Sequence, residues 1–592
     1  FLGLATLTIL EIARELIVKR HTNQKDFSYE NIPLDDKKVY QLFSDGKTEA
    51  VFQFESRGMQ GMLRDAKPTR LEDLIALNAL YRPGPMDLIP SFVARKHGRE
   101  VIEYPHPLVA DMLSETYGIM VYQEQVMQTA QILGGYTLGG ADMLRRAMGK
   151  KKPEEMAEHR GIFRTGAAKN DISNEKADEI FDLMEKFAGY GFNKSHAAAY
   201  SLLAYHTAWI KVHFTAEFFC ANMTVEMDNT DKLKVLFEDA VKMGLSFDLP
   251  HINQGQYRFE PIWDLSHKKI RYGLGAVKGT GEKAIKAIVA AREEGGAFTS
   301  LFDFACRVDR SSLNKRCVDA LIKAGAFDSL HPNRSALVAS IDRAFEFATA
   351  AAANANQVGL FDMGDDAHGS STQEPDLIET PAWGVKERLD FEKIAVGFYL
   401  SGHLFDEVAP EVRRFVKRSI ADFLDTREPQ LLAGIVTDLR IINGQRGRLA
   451  LFKLDDKSAS IDARADDALI EAHRDTLKDD GFIVIMGKVQ YDRFSGGNQL
   501  SITQIWSLEE ARCQFGKYLK MRIEPASGAI LNIASILQEF PATSCGLGIR
   551  LTVQCHDVEA ELQLGTKARF YPSNAALAVW NNQIKNATIH YE

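Results

Sequence analysis

The sequence is poor in cysteine and has no long apolar run. Its 592 residues include six cysteines, and no two of them form a C-x-x-C pair. Scattered cysteines of this kind indicate neither a disulfide framework nor a zinc site, and they fit the reducing cytoplasm as the expected location. Because no apolar run approaches the ~18 residues that cross a bilayer, we expect no membrane segment and no membrane partner.

The sequence also lacks an initial methionine and the marks of a targeting segment. It begins with Phe1, and the residues that follow include acidic side chains but no short apolar core with a cleavage site. We therefore expect the chain to begin inside a longer one. Its length predicts several domains, because single hydrophobic cores stop growing near ~250 to 300 residues. The net charge of -9 does not exclude nucleic acid, since binding depends on local basic patches.

The spacing of apolar residues divides the sequence into parts. Up to about residue 247 they recur at helical spacing, and from residue 272 to about residue 330 short helices are predicted between glycine-rich turns. Residues 348–381 are an alanine-rich run followed by Asp, Gly, Ser and Pro, which predicts a linker. Alternating apolar residues between 431 and 508 predict a small antiparallel barrel, with the OB-fold as the favoured candidate.

Two segments carry groups that suit phosphate. Residues 136–152 read YTLGGADMLRRAMGKKK, which places five basic residues and a single acid around the end of a short helix. Residues 189–200 read GYGFNKSHAAAY, which sets Asn193, Lys194, Ser195 and His196 at the start of a helix. The alternatives are a solvated basic helix end for the first segment and an ordinary helix cap for the second.

A third segment is typical of a helix-hairpin-helix. Residues 272–292 read YGLGAVKGTGEKAIKAIVAAR, a glycine-rich hairpin followed by a helix, and residues 313–327 predict a second copy. Exposed backbone N–H groups in such a hairpin can hold duplex phosphates without reading base sequence. The candidate duplex contacts are Gly275, Lys278, Gly279, Thr280, Gly281 and Lys283. The alternative is a pair of packed helices joined by a plain glycine turn.

Several strings together resemble one family. VFQFESRGM from Val51, ALYRPGP from Ala79, YGIMVYQEQVM from Tyr117, the 136–152 string and FAGYGFNKSHAAAY from Phe187 are similar, in the same order, to the fingers region of bacterial DNA polymerase III alpha subunits. These are family C replicative polymerases. The resemblance implies that the segments bind the incoming dNTP and the primer-template. It carries this role to Arg82, Gln123, Arg145, Arg146, Lys150, Lys151, Asn193, Lys194 and His196.

The resemblance also implies catalytic residues that the sequence does not contain. Family C polymerases use three palm aspartates, two of them in a D-x-D string and one just before the FLGL string that opens this chain. The sequence has no D-x-D. We therefore expect the catalytic aspartates upstream of Phe1, Mg²⁺ in the intact polymerase but not on this chain, and a proofreading exonuclease subunit that binds only the missing N-terminal part.

Three further sites follow from single strings. Gln357, Leu360 and Phe361 resemble the Q-x-x-L-F peptide that holds the bacterial beta sliding clamp, with packing onto the neighbouring helix as the alternative. The last segment weakly resembles the tail that binds the tau subunit of the clamp loader. In the barrel, the candidate contacts to single-stranded DNA are Arg446, Arg448, Lys488, Tyr491, Arg493 and Phe494, although acids make this patch mixed and a purely structural barrel is the alternative.

The sequence thus predicts a multidomain α+β chain with a mostly helical fingers domain, a tandem helix-hairpin-helix domain, an OB-fold β-barrel and a small α/β C-terminal domain. The expected bounds are 1–20 for the end of the palm, 21–247 for the fingers, 248–345 for the helix-hairpin-helix domain, 346–430 for a linker with the clamp peptide at 357–361, 431–510 for the barrel and 511–592 for the C-terminal domain.

The predicted function is a share of template-directed 5'-to-3' DNA synthesis by nucleotidyl transfer. This chain would supply dNTP, DNA and clamp binding. A non-enzymatic adaptor for DNA and clamp is the alternative. A helix-hairpin-helix repair protein is disfavoured, because such a protein needs no nucleotide pocket.

Overall fold

A computed structural model gives the fold of the chain. It describes residues 3–150, 153–188, 191–262, 268–358, 373–423, 428–444, 447–492, 497–523, 532–542, 544–555, 558–584 and 587–591. The chain divides into two compact units. The first comprises Phe1–Ala382 and Phe391–Phe398, and the second comprises Trp383–Asp390 and Tyr399–Glu592.

Helices form the first part of the first unit, as the helical spacing of its apolar residues predicts. They are α1 (Ala5–Arg20), α2 (Lys37–Ser44), α3 (Arg57–Ala66), α4 (Leu71–Leu80), α5 (Ile89–Lys96), α6 (Ala110–Ser114), α7 (Gln123–Gly134), α8 (Leu138–Lys150), α9 (Pro153–Ala167), α10 (Asn174–Ala188), α11 (Lys194–His213), α12 (Thr215–Val225) and α13 (Thr230–Lys242). Short 3₁₀ turns at Thr22–Gln24, Tyr29–Asn31, Pro85–Leu88, Pro107–Val109 and Ala168–Asn170 join some of them.

These helices share an apolar core. The side chains of Phe43, Phe54, Phe92, Phe163 and Phe181 are all fully buried in it. Burying a large apolar side chain of this kind stabilises a fold by ~1.5 to 3 kcal/mol. The core therefore holds α2 to α11 as one body, on whose surface the predicted nucleotide-binding segments lie.

A buried lysine of α11 binds the backbone just before the VFQFESRGM segment. The Lys211 side chain is fully buried, and its ammonium donates to the backbone oxygens of Lys47 (3.0 Å) and Glu49 (2.7 Å) and to a carboxylate oxygen of Asp239 (2.7 Å). Three acceptors satisfy the three N–H donors, which offsets the cost of burying the charge. The loop before α3 is thereby fixed to the long helix.

The first unit continues with a small sheet and a second group of helices. Strands β1 (Ser246–Asp248), β2 (Glu260–Ile262) and β3 (Lys269–Arg271) form a sheet in the order β1-β3-β2, in which β1 and β3 are parallel. A 3₁₀ turn at Leu274–Ala276 follows. The helices are then α14 (Glu282–Gly295), α15 (Leu301–Arg307), α16 (Lys315–Lys323), α17 (Arg334–Ala339) and α18 (Ile341–Val358).

The alanine-rich run is helical and not part of a linker. Residues 348–358, which the sequence predicts to lie in the linker, form the second half of α18. Alanine has the highest helix propensity of all residues, so a run of alanines extends a helix that has already been nucleated. A run of this composition forms a linker only where no helix precedes it.

The second unit contains a closed five-stranded barrel. Helix α19 (Val385–Val396) has residues in both units, and α20 (Phe405–Val412) belongs to the second. The elements of the barrel are β4 (Gln430–Gly444), β5 (Gly447–Asp455), β6 (Ser460–Ala465), α21 (Asp467–Ala472), β7 (Phe482–Asp492) and β8 (Gly497–Trp506). The strand order is β4-β5-β6-β8-β7, with β6 and β8 parallel and the other pairs antiparallel. The alternation of apolar residues in the sequence predicts β4, β5, β7 and β8, but it does not predict β6.

An α/β layer completes the second unit. Its elements are α22 (Leu508–Phe515), β9 (Gly516–Ile523), α23 (Ile533–Glu539), β10 (Leu547–Cys555), β11 (Val558–Gln563), β12 (Arg569–Phe570), α24 (Asn574–Gln583) and β13 (Thr588–Tyr591). The sheet runs β11-β10-β9-β13, and β12 also pairs with β10. The Trp580 side chain of α24 is fully buried against one face of this sheet, together with Leu519 and Ile549.

The predicted fold class is confirmed. The chain is a mixed α+β protein that is helical in its first part and rich in strands in its last part. In the part of the chain that the structure describes, none of the helices combines the length and apolar character that a membrane span requires.

Two glycines of α9 give a test of the packing between α7 and α9. A Cβ atom on Gly166 would lie 1.8 Å from the backbone oxygen of Gly134, whereas a Cβ atom on Gly161 would meet nothing within 4 Å. Gly166→Ala should lower the free energy of unfolding by about 1 to 3 kcal/mol through overpacking. Gly161→Ala, the control, should raise it by about 0.5 to 1 kcal/mol through helix propensity. Urea unfolding followed by helical circular dichroism measures both, and equal shifts would contradict this packing.

Candidate nucleotide and nucleic-acid interface

The N-terminal ends of α7 and α11 lie side by side. Tyr122 and Phe192 form a parallel β-bridge, in which the Gln123 N–H donates to the Phe192 oxygen (2.9 Å) and the Phe192 N–H donates to the Val121 oxygen (3.2 Å). The Gln123 side chain also donates to the Gly191 oxygen at 3.0 Å. The structure therefore brings Gln123 next to the GFNKSH string, as a shared site requires.

Acidic side chains of the protein occupy the N-terminus of α11. The Asn193 side-chain oxygen caps this helix by accepting from the His196 N–H (2.8 Å). The Glu124 carboxylate accepts from the Asn193 amide (3.0 Å) and from the Lys194 N–H (3.0 Å), and the Lys194 ammonium pairs with Glu115 at 2.7 Å. The positive end of the helix thus already holds an anion, which is Glu124.

Aromatic and cationic groups form a half-exposed row beside this helix end. The Arg82 guanidinium lies 4.6 Å from the centre of the Phe192 ring, within the range of a cation–π contact. The His196 ring lies 5.5 Å from Phe192 and 4.2 Å from Tyr200, whose ring is 5.1 Å from Phe52. Burial lowers the pKa of Arg82. This row offers π faces on which a base can stack.

The two arginines of α8 share one carboxylate. Asp142 accepts from Arg145 at 2.9 and 3.1 Å and from Arg146 at 2.8 Å. The hydrogen bond from Arg145, together with the charges of both arginines, holds the pKa of Asp142 below its usual value. Arg146 remains two-thirds exposed, with a side-chain exposure of 66%. The basic cluster is therefore partly neutralised, and Arg146 stays open to solvent while the Arg145 side chain is only 25% exposed.

Helix α7 connects the two groups of residues. It begins at Gln123 and packs against α8, which carries Arg145 and Arg146. Within the described residues, no hydrogen bond or ion pair joins these arginines directly to Asn193, Lys194 or His196. The predicted nucleotide-binding residues thus form two neighbouring groups on one scaffold.

The first glycine-rich hairpin has an open turn. Gly279 has a φ of +82°, which favours glycine, and α14 begins after Gly281 without a side-chain cap. The Thr280 hydroxyl closes the turn by hydrogen bonding to the oxygens of Leu274 (2.9 Å) and Val277 (2.6 Å). An uncapped helix start leaves backbone N–H groups available to a phosphate.

Other predicted residues of this hairpin face the protein. A Cβ atom on Gly275 would lie 2.3 Å from the Tyr257 ring, and the Gly275 N–H donates to the Tyr257 oxygen. The Lys278 N–H donates to the Ala395 oxygen at 2.8 Å. Only the exposed side chains of Lys278 and Lys283 remain as candidate contacts here, besides the glycine turn itself.

The second hairpin is closed by a buried arginine. Gly325 has a φ of +88°, and a Cβ atom there would lie 2.3 Å from the Arg334 guanidinium. Arg334 donates two hydrogen bonds to Asp328 (2.7 and 2.6 Å) and one to the Lys323 oxygen (3.0 Å). This turn is therefore filled from within the protein, which distinguishes it from the first.

Arg448 and Lys488 of the barrel differ as candidate contacts to single-stranded DNA. Arg448 pairs with Asp467 (2.6 Å) and Glu471 (2.7 Å), whereas the Lys488 side chain is exposed on β7. Arg448 thus stabilises the contact between β5 and α21, and Lys488 keeps its charge at the surface.

Several predicted residues cannot be placed in full. The backbones of Lys150, Gln357 and Tyr491 belong to α8, α18 and β7. The residues that lie outside the described part of the chain are Lys151, Leu360, Phe361, Arg446, Arg493 and Phe494. Their roles stay predictions.

Sequence reasoning missed the acids that hold the predicted cations. Glu115 and Glu124 lie in or beside the YGIMVYQEQ string, but their partners are 79 and 70 positions away. The spacing of neighbouring residues in the sequence does not reveal pairs that are so far apart. In the described residues, no three His, Cys, Asp or Glu side chains converge as metal ligands would, so we assign none of them to the Mg²⁺ that the resemblance implies.

Comparisons with known proteins agree with the motifs. Residues 6–171 match the model of the bacterial DNA polymerase III alpha subunit finger domain, and residues 244–337 match that of the helix-hairpin-helix motif. The chain is 49% identical over 579 residues to the DNA polymerase III subunit alpha of Neisseria meningitidis serogroup B, covering 97% of this chain and 50% of that protein. The proteins of the same name from Vibrio cholerae and Escherichia coli K12 are each 42% identical, with 98% of this chain and 51% of theirs covered. The chain spans about half the length of the curated relatives it matches.

The shared carboxylate of α8 can be tested with inorganic triphosphate. Asp142→Asn releases Arg145 and Arg146, and we expect about two- to five-fold tighter triphosphate binding, the factor that corresponds to an exposed ion pair. Asp111→Asn is the control, because it makes the same charge change at an exposed aspartate that forms no ion pair with any residue in the described part of the chain. Isothermal titration calorimetry measures both variants. Equal affinities for the Asp142 variant and the parent chain would show that these arginines do not receive the phosphates.

Proposed function

Because the chain belongs to the bacterial DNA polymerase III alpha subunit family, we propose that it is part of a replicative, DNA-directed DNA polymerase. The single observation that carries this proposal is the 49% identity that extends over 97% of the chain. The chain covers about half the length of such relatives, so we propose that it performs part of the polymerase's function. It binds dNTP, primer-template DNA and the beta sliding clamp for 5'-to-3' synthesis.

The predicted domains divide this work. We assign residues 1–20 to the end of the palm, 21–247 to nucleotide and primer-template binding, 248–345 to duplex binding, 346–430 to the clamp peptide and connecting segment, 431–510 to single-stranded DNA and 511–592 to tau binding. The proofreading exonuclease would bind the polymerase outside this chain.

We propose that the incoming dNTP exchanges partners with protein carboxylates. Arg145 and Arg146 would turn from Asp142 to the triphosphate, which accepts more charge-assisted hydrogen bonds than one carboxylate does. We propose that the Lys194 and Lys150 side chains also bind the triphosphate, while Asn193 stays as the cap that orients α11. Arg82, Gln123 and His196 would border the base, because they adjoin the Phe192 and Tyr200 rings.

Mg²⁺ ions take part in this chemistry, and we propose that residues outside this chain hold them. Bound Mg²⁺ supplies charge stabilisation for nucleotidyl transfer, and palm aspartates hold it in the family. What this chain contributes is the orientation of the triphosphate and the primer-template. An adaptor for DNA and clamp would need no nucleotide pocket, so triphosphate binding also separates the two candidate functions.

We assign the barrel to the OB-fold. Its strand order and the helix α21 between β6 and β7 support this assignment. Lys488 and Tyr491 are proposed to meet single-stranded template. Arg448 is a weaker candidate, since it already pairs with Asp467 and Glu471.

The open hairpin before α14 is proposed to hold the duplex backbone, and two lysines on α14 test this. Lys283→Ala should weaken binding of a blunt duplex about three- to ten-fold and lower the salt slope by about 0.9, the value for one phosphate contact. Lys286→Ala is the matched control, because Lys286 is exposed on the same helix but pairs with Glu282 at 3.0 Å. Fluorescence anisotropy at several salt concentrations measures both. Equal salt slopes for the two variants would remove the hairpin from the DNA interface.

The QVGLF string is proposed to dock on the beta sliding clamp. Replacing both Leu360 and Phe361 by Ala should abolish clamp binding and leave DNA affinity nearly unchanged, since the apolar anchors bind a pocket and not a phosphate. The control replaces Ile378 and Val385 by Ala, two exposed apolar residues that follow in the chain. Surface plasmon resonance on immobilised clamp reads both, and unchanged clamp affinity of the first variant would refute this role.

A further inference from the structure

A cationic cavity lies between α3 and α5, away from the predicted nucleotide site. Its volume is about 820 Å³, and none of the residues predicted to bind dNTP or primer-template lines it. Met62, Ile89 and Val93 form an apolar floor, in which Met62 and Val93 are buried. Its exposed cationic rim consists of Arg64, Lys67 and Arg99, and the exposed His97 ring also lines the cavity.

The cations of this rim are not held by acids. Among the described residues, Arg64, Lys67 and Arg99 have no ion pair, and Asp65 is the single carboxylate in the lining. Four of the cations predicted from sequence differ in this respect, because Arg145, Arg146, Lys194 and Arg448 are all paired. Three permanent positive charges against one negative charge therefore surround an open cavity.

Two other acids near the rim do not neutralise its positive charge, because each forms an ion pair with another cation. Asp73 is buried and pairs with Lys96 at 3.0 Å, while Glu100 pairs with Arg95 at 2.7 Å. The rim thus keeps its positive potential, and a low-dielectric floor concentrates that potential inside the cavity.

Backbone geometry sets the cations at the rim. Lys67 follows α3 in the left-handed conformation, with a φ of +44°, where a glycine would fit at lower cost. Gly98 has a φ of +69° after α5, and this turn lets the Arg99 N–H bond back to the Ala94 oxygen at 2.8 Å. The His97 ring nitrogen lies 3.1 Å from the backbone oxygen of Asp65. This contact joins the C-terminal ends of α3 and α5.

We propose that this cavity binds single-stranded DNA, with phosphates on the cationic rim and a base on the apolar floor. The inference rests on the proposed function, which brings single-stranded template to the chain. Paired bases inside a duplex cannot reach such a floor, whereas an unstacked base can. The volume lies within the ~300 to 1,000 Å³ range of ligand pockets and admits at least one nucleotide.

The test uses the full chain and an end-labelled oligothymidylate of about 12 nucleotides that carries a photoreactive thiothymidine. We expect crosslinks on peptides from residues 57–70 or 89–99. The triple variant Arg64→Glu, Lys67→Glu and Arg99→Glu should lose these crosslinks. It should also bind about ten-fold more weakly, with a salt slope smaller by about two, because each phosphate contact on a single strand contributes ~0.7.

Matched variants separate the cavity from general charge. Lys37→Glu, Lys38→Glu and Lys169→Glu together make the same charge change on exposed lysines outside the cavity, and they should preserve the crosslinks. If the reversal variant fails to fold, the triple glutamine variant of Arg64, Lys67 and Arg99 replaces it. Crosslinks that persist in the folded cavity variant would overturn the proposal.

Competing probes identify the ligand and separate two kinds of failure. Inorganic triphosphate or polyglutamate that removes the crosslinks at the same charge concentration as unlabelled strand would make the site a general anion site and overturn the proposal. Normal binding of a blunt duplex without crosslinks in the cavity would sink this inference and leave the proposed function standing. Failure of the chain to bind either duplex or single strand would count against both.

Discussion

The bridge between Tyr122 and Phe192 is the contact on which the candidate site depends. It sets the N-termini of α7 and α11 side by side, although they lie far apart in sequence. Both helix ends carry partial positive charge, and these charges would repel each other. The Glu124 carboxylate lies at this junction and accepts from Asn193 and from the Lys194 N–H. Glu124 is therefore needed for the fold of this region as well as for its electrostatics.

Acidic side chains also neutralise three of the predicted cations. Arg145 and Arg146 share Asp142, and Lys194 pairs with Glu115. Acids that neutralise such groups prevent mutual repulsion in the free protein and keep the side chains pre-oriented. A ligand must then displace a carboxylate, which favours a triphosphate over weaker anions because it offers more charge and more acceptors. Paired cations thus act as selective contacts.

Local sequence patterns predict most of the helices and strands. They do not predict ion pairs between residues that are far apart in the sequence. Apolar alternation located β4, β5, β7 and β8, but β6 is a short strand with the sequence SIDARA, in which charged residues alternate with small ones. The alanine run of α18 was mistaken for a linker because composition was weighed without the helix before it. The motif strings predict Gln123, Asn193 and Lys194 as residues of the candidate site. Their acid partners Glu115 and Glu124 could not be inferred, since no local rule pairs residues some 70 positions apart.

The cavity between α3 and α5 shows why pairing matters for binding. When a phosphate displaces Asp142 from Arg145, one ion pair replaces another, and a freed carboxylate attracts new counterions. The net release of ions is small, so such a contact adds little salt dependence. Arg64, Lys67 and Arg99 have no acid partner in the described residues, so a phosphate that binds them releases counterions in full. In the proposed function, long-range attraction of nucleic acid would therefore depend on the unpaired cations, while the paired ones would discriminate among ligands at close range.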